Sequence, residues 1–409
     1  MVRLAVVLQP LTPHPVFPYV LPMRTPLAWF NLTYERRRLL TAIAGVSFAV
    51  LLMFMFKGFE NALYDSQVQL LKVLNGDIIV VNRLKYTMFI PEQFARRRLY
   101  QAQAFEGVEA AYPLYTRDGA YWKNPETKAV RPLRVLAFNP NDPVLNIPEV
   151  LAKQEGLKLP WTAIVDEKSR AEVGPRSAGI VTEMAEQQIQ VIGTFSMGTD
   201  FASANGNVIM SDQNFLRYFS DLGPEETERN LNTVDVGLLK LAPGADANAI
   251  AVALRQRLPN DISILTKPEF VAMELNYWRK NTSIGFIFTL LTTMSFVVGI
   301  ILVYQILYTD VSEHWVEYAT LKAIGYSNRY LLTVVMQQSL ILAMLGFVPG
   351  YLIALVLYDA TTNATGLLMN MTLGRALEIL IATVSMCLIS GAIAVRKVQA
   401  ADPAEVFGN

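Results

Sequence analysis

Four stretches of this chain carry no charged side chain and are each long enough to cross a bilayer: Leu39–Phe56, Asn281–Thr309, Tyr330–Tyr358 and Ile379–Val395. A hydrocarbon core about 30 Å thick needs roughly 20 apolar helical residues at about 1.5 Å each, so runs of this kind restrict the chain to an α-helical membrane protein. The remainder has to fit around them. With 409 residues, 52% of them hydrophobic and 17% charged, the chain is too apolar for an ordinary soluble protein, yet it carries enough charge for a sizeable water-facing domain.

The basic residues set the orientation. Arg36, Arg37 and Arg38 stand just before the first run, Lys322 and Arg329 lie between the second and third, and Arg396 and Lys397 follow the fourth. Lys and Arg accumulate in cytoplasmic loops, whereas Asp359 to Gly374 holds neither. The expected fold class is therefore four transmembrane α-helices with a large α+β extracytoplasmic domain inserted between the first and second. In order, the expected segments are a cytoplasmic N-terminal segment (1–38), a first span (39–56), an outer domain with a helical stalk (57–280) and a second span (281–309). A cytoplasmic helix and turn (310–329), a third span (330–358), a short external loop (359–375), a fourth span (376–395) and a cytoplasmic tail (396–409) follow. Both termini are expected inside, in a multi-pass protein of the inner membrane.

Residues 1–22 are proline-rich and read as a disordered cytoplasmic tail, their apolar part Leu4–Leu8 being too short for a signal-peptide core. Met23-Arg24-Thr25-Pro26 reads as a second possible start of the natural chain. In the outer domain, Phe59, Leu63, Leu70 and Leu74 repeat at helical spacing up to Asn75-Gly76. At the other end Thr266-Lys267-Pro268-Glu269 reads as a capping box leading into Phe270, Met273 and Tyr277. These two helices are expected to run directly into membrane spans as a two-helix stalk. Between them lie expected strands at Asp77–Val81, Leu133–Phe138, Thr162–Val165, Gln190–Phe195, Val208–Met210, Thr233–Leu241 and Ile262–Leu265, with a helix capped by Asp246 before the last.

Several function classes are excluded by what the residues lack. Thirty-five basic residues balance 35 acidic ones, so no electrostatic footprint for nucleic acid exists. The single cysteine, Cys387, rules out an intramolecular disulfide, and two isolated histidines, His14 and His314, cannot build a histidine-rich metal site. No phosphate-loop, metalloprotease or nucleophile-elbow motif occurs, so no catalytic residue and no cofactor is expected in this chain. The spans show no buried acid at mid-membrane for a proton relay; Glu378 is expected to pair with Arg375 one turn away at the outer edge. Gln337 and Gln338 suit interhelical hydrogen bonds in a packed or dimeric bundle. Gly346, Pro349 and Gly350 in the third span fit either close helix packing or a flex point.

The polar segment from Asp310 to Gly325 reads as a short amphipathic helix. Val311, Trp315 and Tyr318/Ala319 form one face, Glu313, Glu317 and Thr320 another, Gly325 ends it and Ser327 caps the next helix. On physical grounds alone it is an interfacial helix. The order E-Y-A-T-L-K-A-I-G-Y-S, from Glu317 to Ser327 and straight into an apolar helix, resembles the FtsX-like, MacB-type permease family. Two further stretches resemble its DevC branch, Thr25–Ala49 and Ala95–Glu109 with Trp122–Pro125 and Leu136–Pro140, and the ending Arg396–Phe407 is similar to the family's C-terminal signature.

The resemblance implies that the segment is a coupling helix for a separate ABC ATPase, with Glu313, Glu317, Lys322, Ala323, Ile324 and Gly325 as its coupling residues. It also implies a homodimer in the lipid membrane, with a periplasmic membrane-fusion adaptor leading to an outer-membrane channel. The cargo would be lipid, glycolipid or similar, moved by mechanotransmission while the partner subunit binds the ATP. Two other roles stay open within the resemblance: a signalling subunit that activates cell-wall hydrolases, and lipoprotein release. The large outer domain favours export.

Overall fold

The computed structural model describes residues 27–200, 205–220, 230–365, 367 and 369–399. The N-terminal tail, the alternative start at Met23 and most of the C-terminal signature lie outside these residues.

A short helix α1 (Leu27–Tyr34) leads into α2 (Arg36–Gln67), which contains the first apolar run and continues through Phe59 and Leu63 without interruption. The expected stalk helix does not run unbroken to Asn75: α2 stops at Gln67 and a separate turn, α3 (Gln69–Val73), follows a break at Val68. The outer domain then runs through β1 (Ile78–Asn82), β2 (Phe94–Ala95), α4 (Arg97–Gln103), β3 (Val108–Lys123), β4 (Val130–Phe138), α5 (Pro148–Leu151), α6 (Gln154–Leu157) and β5 (Thr162–Asp166). It continues with β6 (Val181–Met184), β7 (Gln187–Phe195), β8 (Asn207–Ser211), α7 (Asp212–Phe219), β9 (Thr233–Val234), β10 (Val236–Leu241), α8 (Ala247–Arg257) and β11 (Ile262–Thr266).

Among the described residues, nine strands form one sheet in the order β11-β1-β10-β3-β4-β8-β5-β7-β6, and β6 returns to β3 through Met184 and Trp122, closing the far half on itself. β10 and β11 lie on either side of β1, both antiparallel to it, so α8 is the crossover between two parallel strands. Alternation divides the core in two. Ile78, Val80, Leu133, Val135 and Ala137 face a layer containing Phe215, Phe219 and Leu254. Ile79, Val81, Leu136 and Phe138 face Leu70, Leu71 and Phe270 from the tops of the stalk helices. The sheet is thus clamped onto the stalk through one apolar face, the side chains of each strand pointing alternately to its two faces.

The Thr266 capping box is present in full, with the Thr266 side chain accepting from the Glu269 N–H and the Glu269 carboxylate accepting from the Thr266 N–H at 2.8 Å. It opens α9 (Lys267–Lys280). Here a second expectation fails: α9 does not pass directly into the membrane run. It ends at Asn281, and α10 (Ser283–Glu313) starts anew after Thr282 in extended geometry. α11 (Trp315–Ile324), α12 (Asn328–Thr365) and α13 (Leu373–Gln399) complete the chain. α2, α10, α12 and α13 are long and apolar enough to cross a membrane.

The bundle packs through small residues. Gly346 and Gly350 of α12 lie against α2, where a Cβ at Gly346 would collide with Val46 and one at Gly350 would stand 2.9 Å from the Ser47 carbonyl. This spacing of glycines lets two backbones approach closely, and Ser47 Oγ donates to the Gly346 carbonyl at 2.9 Å. α12 continues through Pro349. The contacts at Gly346 and Gly350 follow the packing alternative.

Candidate functional site

The polar segment between α10 and α12 starts later than its sequence pattern suggests. Asp310 to Glu313 form the last turn of α10, the chain turns at His314, and the short helix is Trp315–Ile324. Its inner face is fixed: Tyr318 and Ala319 are buried, and Tyr318 packs with Val311, Leu331, Val335 and Val395. Burial also pushes the Tyr318 phenol above its ordinary range, so it stays neutral. The face anticipated from Val311, Tyr318 and Ala319 is therefore the one that holds the helix to the bundle.

Its end is equally well defined. Gly325 adopts φ 108°, a left-handed conformation available to glycine at little cost. The Gly325 N–H donates to the Lys322 carbonyl and the Tyr326 N–H to the Leu321 carbonyl, both at 3.0 Å, which satisfies carbonyls left over at the helix end. Ser327 then accepts from the Tyr330 N–H through its Oγ (3.4 Å) and its carbonyl (2.9 Å), opening α12.

The outer side is apolar and uncovered. Ile324 is 70% exposed, Val316 57% and Tyr326 46%, with the Tyr330 ring tilted against Tyr326 at 4.8 Å. Glu317, Ala323 and Gly325 are exposed beside them and Lys322 is half-buried. Glu313 is drawn away from this group: it forms an ion pair with Arg38 at the start of α2 and ties α10 to α2. Four of the six anticipated coupling residues, Glu317, Ala323, Ile324 and Gly325, are thus exposed along α11 and at its end, while Lys322 is half-buried and Glu313 is tied to Arg38.

Below this surface lies a polar cluster that the sequence pattern did not disclose. Asp310 is buried and accepts from Gln338 Nε2 of α12 at 3.2 Å, and His314 Nδ1 lies 3.0 Å from the Asp310 carbonyl. Among the described residues two acids are therefore buried in the long apolar helices: Asp310 in the last turn of α10, and Glu60 of α2, which pairs with Lys57. The sequence signal of Asp310 was an aspartate directly after an uncharged run. At the outer end the expected Arg375–Glu378 pair is replaced. Arg375 Nη2 bonds Asp65 at 2.6 Å, and Glu378 meets Lys57 at 3.4 Å, so both ties reach from α13 to α2. An interhelical partner displaces the neighbour one turn away because bundle packing brings it closer.

On the outer side, α9 is locked to the segment after β1 through Glu274. This buried carboxylate accepts from Thr87 Oγ1 at 2.7 Å, the Met88 N–H at 2.9 Å and Trp278 Nε1 at 2.9 Å. Burial raises its pKa despite these three donors. Phe89 packs edge-on against Trp278 at 5.4 Å and lies under the Arg134 guanidinium at 5.6 Å. Arg134 in turn bonds Asp118 and Asp200, each at 2.7 Å. Among the described residues no group of three His, Cys, Asp or Glu could hold a metal ion.

Residues 289–403 match the family model described as FtsX-like permease C-terminal. The C-terminal region of this chain is similar to that of FtsX-like permeases. The matched region contains most of α10, all of α11, α12 and α13, and the exposed surface just described. Two solved structures are similar to part of this chain. One is the periplasmic region of MacB from Actinobacillus actinomycetemcomitans, at 11% identity and a TM-score of 0.33, covering 48% of this chain and 91% of that one. The other is the extracellular domain of the noncanonic ABC-type transporter YknZ from Gram-positive bacteria, at 9% identity and a TM-score of 0.31, covering 46% of this chain and 99% of that one. No curated protein matches this chain.

Proposed function

We propose that this permease is the membrane subunit of an ABC-type exporter and that a separate ATPase docks on the free side of α11. The observation that carries this reading is the split character of that helix. One face is locked into the bundle through Tyr318 and Ala319, while Val316, Ile324 and Tyr326 present apolar side chains to the outside. Burying such a rim against a partner removes apolar surface from water, which is favourable by roughly 25 cal/mol per Å². Because α11 follows α10 after a single turn and precedes α12 after another, a push on it moves two spans together.

In this reading both termini and α11 are cytoplasmic, the domain at 57–280 lies outside the inner membrane, and two copies of the permease act together. The domain moves with ATP-driven closure of the partner and works with a membrane-fusion adaptor and an outer-membrane channel. The cargo is a lipid, glycolipid or similar molecule. The permease itself hydrolyses no ATP.

The test is Ile324→Asp. Ile324 touches no core, so the stability of the isolated permease should change by less than about 0.5 kcal/mol. A carboxylate forced into an apolar contact should release the ATPase, with co-purification falling about tenfold or more. Glu317→Lys should weaken it less, as a rim charge does. Wild-type recovery of the ATPase with the Ile324→Asp protein would refute the docking site.

A further inference from the structure

A second surface, on the outer domain and remote from α11, has the composition of a binding site. Trp161 precedes β5 and has φ 61°, a conformation that a bulky side chain rarely adopts. Such strain persists only where the surroundings enforce it, and here they do. The Trp161 N–H donates to Asn214 Oδ1 at 3.1 Å, and its carbonyl accepts from the Gln190 N–H at 2.8 Å. Asn214 is itself fully buried, with its amide nitrogen donating to the Leu159 and Thr162 carbonyls. The ring rests edge-on against Tyr218 at 5.4 Å. A rigid, strained backbone therefore holds an indole that remains 42% exposed, where burial would have been the ordinary fate of a tryptophan.

The indole forms one wall of a groove of about 520 Å³, a size within the range of small-molecule sites. Its other described lining residues are Pro160, Val181, Gln187, Gln188 and Gln190, and none of them is charged. This combination specifies a ligand chemistry. A flat aromatic face suits a ring that presents C–H bonds on one side. Primary amides both donate and accept, so they match groups that do the same, namely hydroxyls. An anion or cation would find no counter-charge in the lining. We propose that this groove binds a neutral sugar, with Trp161 as the stacking platform and Gln187, Gln188 and Gln190 contacting ring hydroxyls.

The proposal does not rest on ATPase docking, and binding can be measured without the partner. Full-length permease in lipid nanodiscs, prepared without glucoside or maltoside detergent, is titrated with cellotetraose, chitotetraose and maltotetraose. A parallel arm uses nanodiscs containing monoglucosyl diacylglycerol. Saturable binding with a Kd on the order of 1 mM or tighter is expected in at least one arm. The free-sugar arm marks a soluble or polymeric glycan as the source, and the glycolipid arm marks a lipid headgroup. Trp161→Gly removes the ring and also relieves the backbone strain, so the protein should stay folded while binding weakens about tenfold or more. Trp161→Phe should retain most of the binding, and the surface pair Gln187→Ala with Gln190→Ala should lose it without touching the core. Absence of binding in both arms overturns the proposal, as does binding that Trp161→Gly leaves intact. Loss of adaptor co-purification in Trp161→Gly without any sugar binding also overturns it and assigns the groove to a protein contact.

Discussion

The two connections between bundle and outer domain are built differently. α2 crosses from Arg36 at the inner end to Gln67 beneath the sheet as one uninterrupted helix. The return connection is interrupted: α9 ends at Asn281 and α10 begins after Thr282. One side is therefore a continuous rod, and the other contains a joint just after Tyr277, Trp278, Arg279 and Lys280. The joint is not slack on its domain side, where Glu274 bolts α9 to the segment after β1 through Thr87 and the Met88 N–H. The pair resembles a lever with one stiff arm and one articulated arm, the ties Asp65–Arg375 and Lys57–Glu378 keeping α13 alongside the stiff one.

The largest effect should come from breaking the rod. Ala62 is buried in α2, and proline there removes a backbone hydrogen bond and clashes with the preceding turn. Ala62→Pro should cost about 3 kcal/mol or more and lower the melting temperature in detergent, with loss of transport. If it melts and transports like the unaltered protein, α2 is not a continuous rod between the membrane span and the sheet.

Next comes the bolt on the articulated arm. Glu274→Leu strands three buried donors and should cost about 2–4 kcal/mol. Glu274→Gln keeps an acceptor and should cost less. The pH dependence separates them further. A raised pKa means that the folded protein holds this proton more tightly than the unfolded chain, so its contribution favours folding below the ordinary glutamate range and is lost as pH rises through the folded value. Thermal melts from pH 4 upward should show this decline in the parent and lack it in Glu274→Gln. Identical pH profiles would mean that Glu274 titrates as in the unfolded chain.

The smallest effect on stability, and the sharpest on the comparison, should come from fusing the joint. Asn281→Ala with Thr282→Ala gives both positions high helix propensity, with a stability change within about 1 kcal/mol. Spin labels in α9 and α10 should then report a straighter, narrower distance distribution, and transport should fall if the joint is used. An unchanged distribution would show that packing, rather than these two residues, sets the break.

How much of this was legible depended on the range of the interaction. The four apolar runs, the Thr266 capping box, the Asp246 cap and the Gly325 stop were all readable, because each is settled by residues within one or two turns. β3 was not. It falls outside the expected strands, and it absorbs Gly119 at φ 78° where its register with β4 shifts, held in place by its neighbours β10 and β4 on either side. The surface at Ala323, Ile324 and Gly325 was placed by sequence order, whereas the diversion of Glu313 to Arg38 was not.

By itself, then, the sequence determined the apolar helices, their caps and an α+β insertion, since periodicity and capping act through the local backbone. Only the tertiary structure decided which charges meet, that Asp310 is buried under Gln338, that Glu274 gathers donors from a distant loop, and that Trp161 stands exposed. Those outcomes depend on which surfaces the strand order and helix packing bring together, and no short window of residues carries that information.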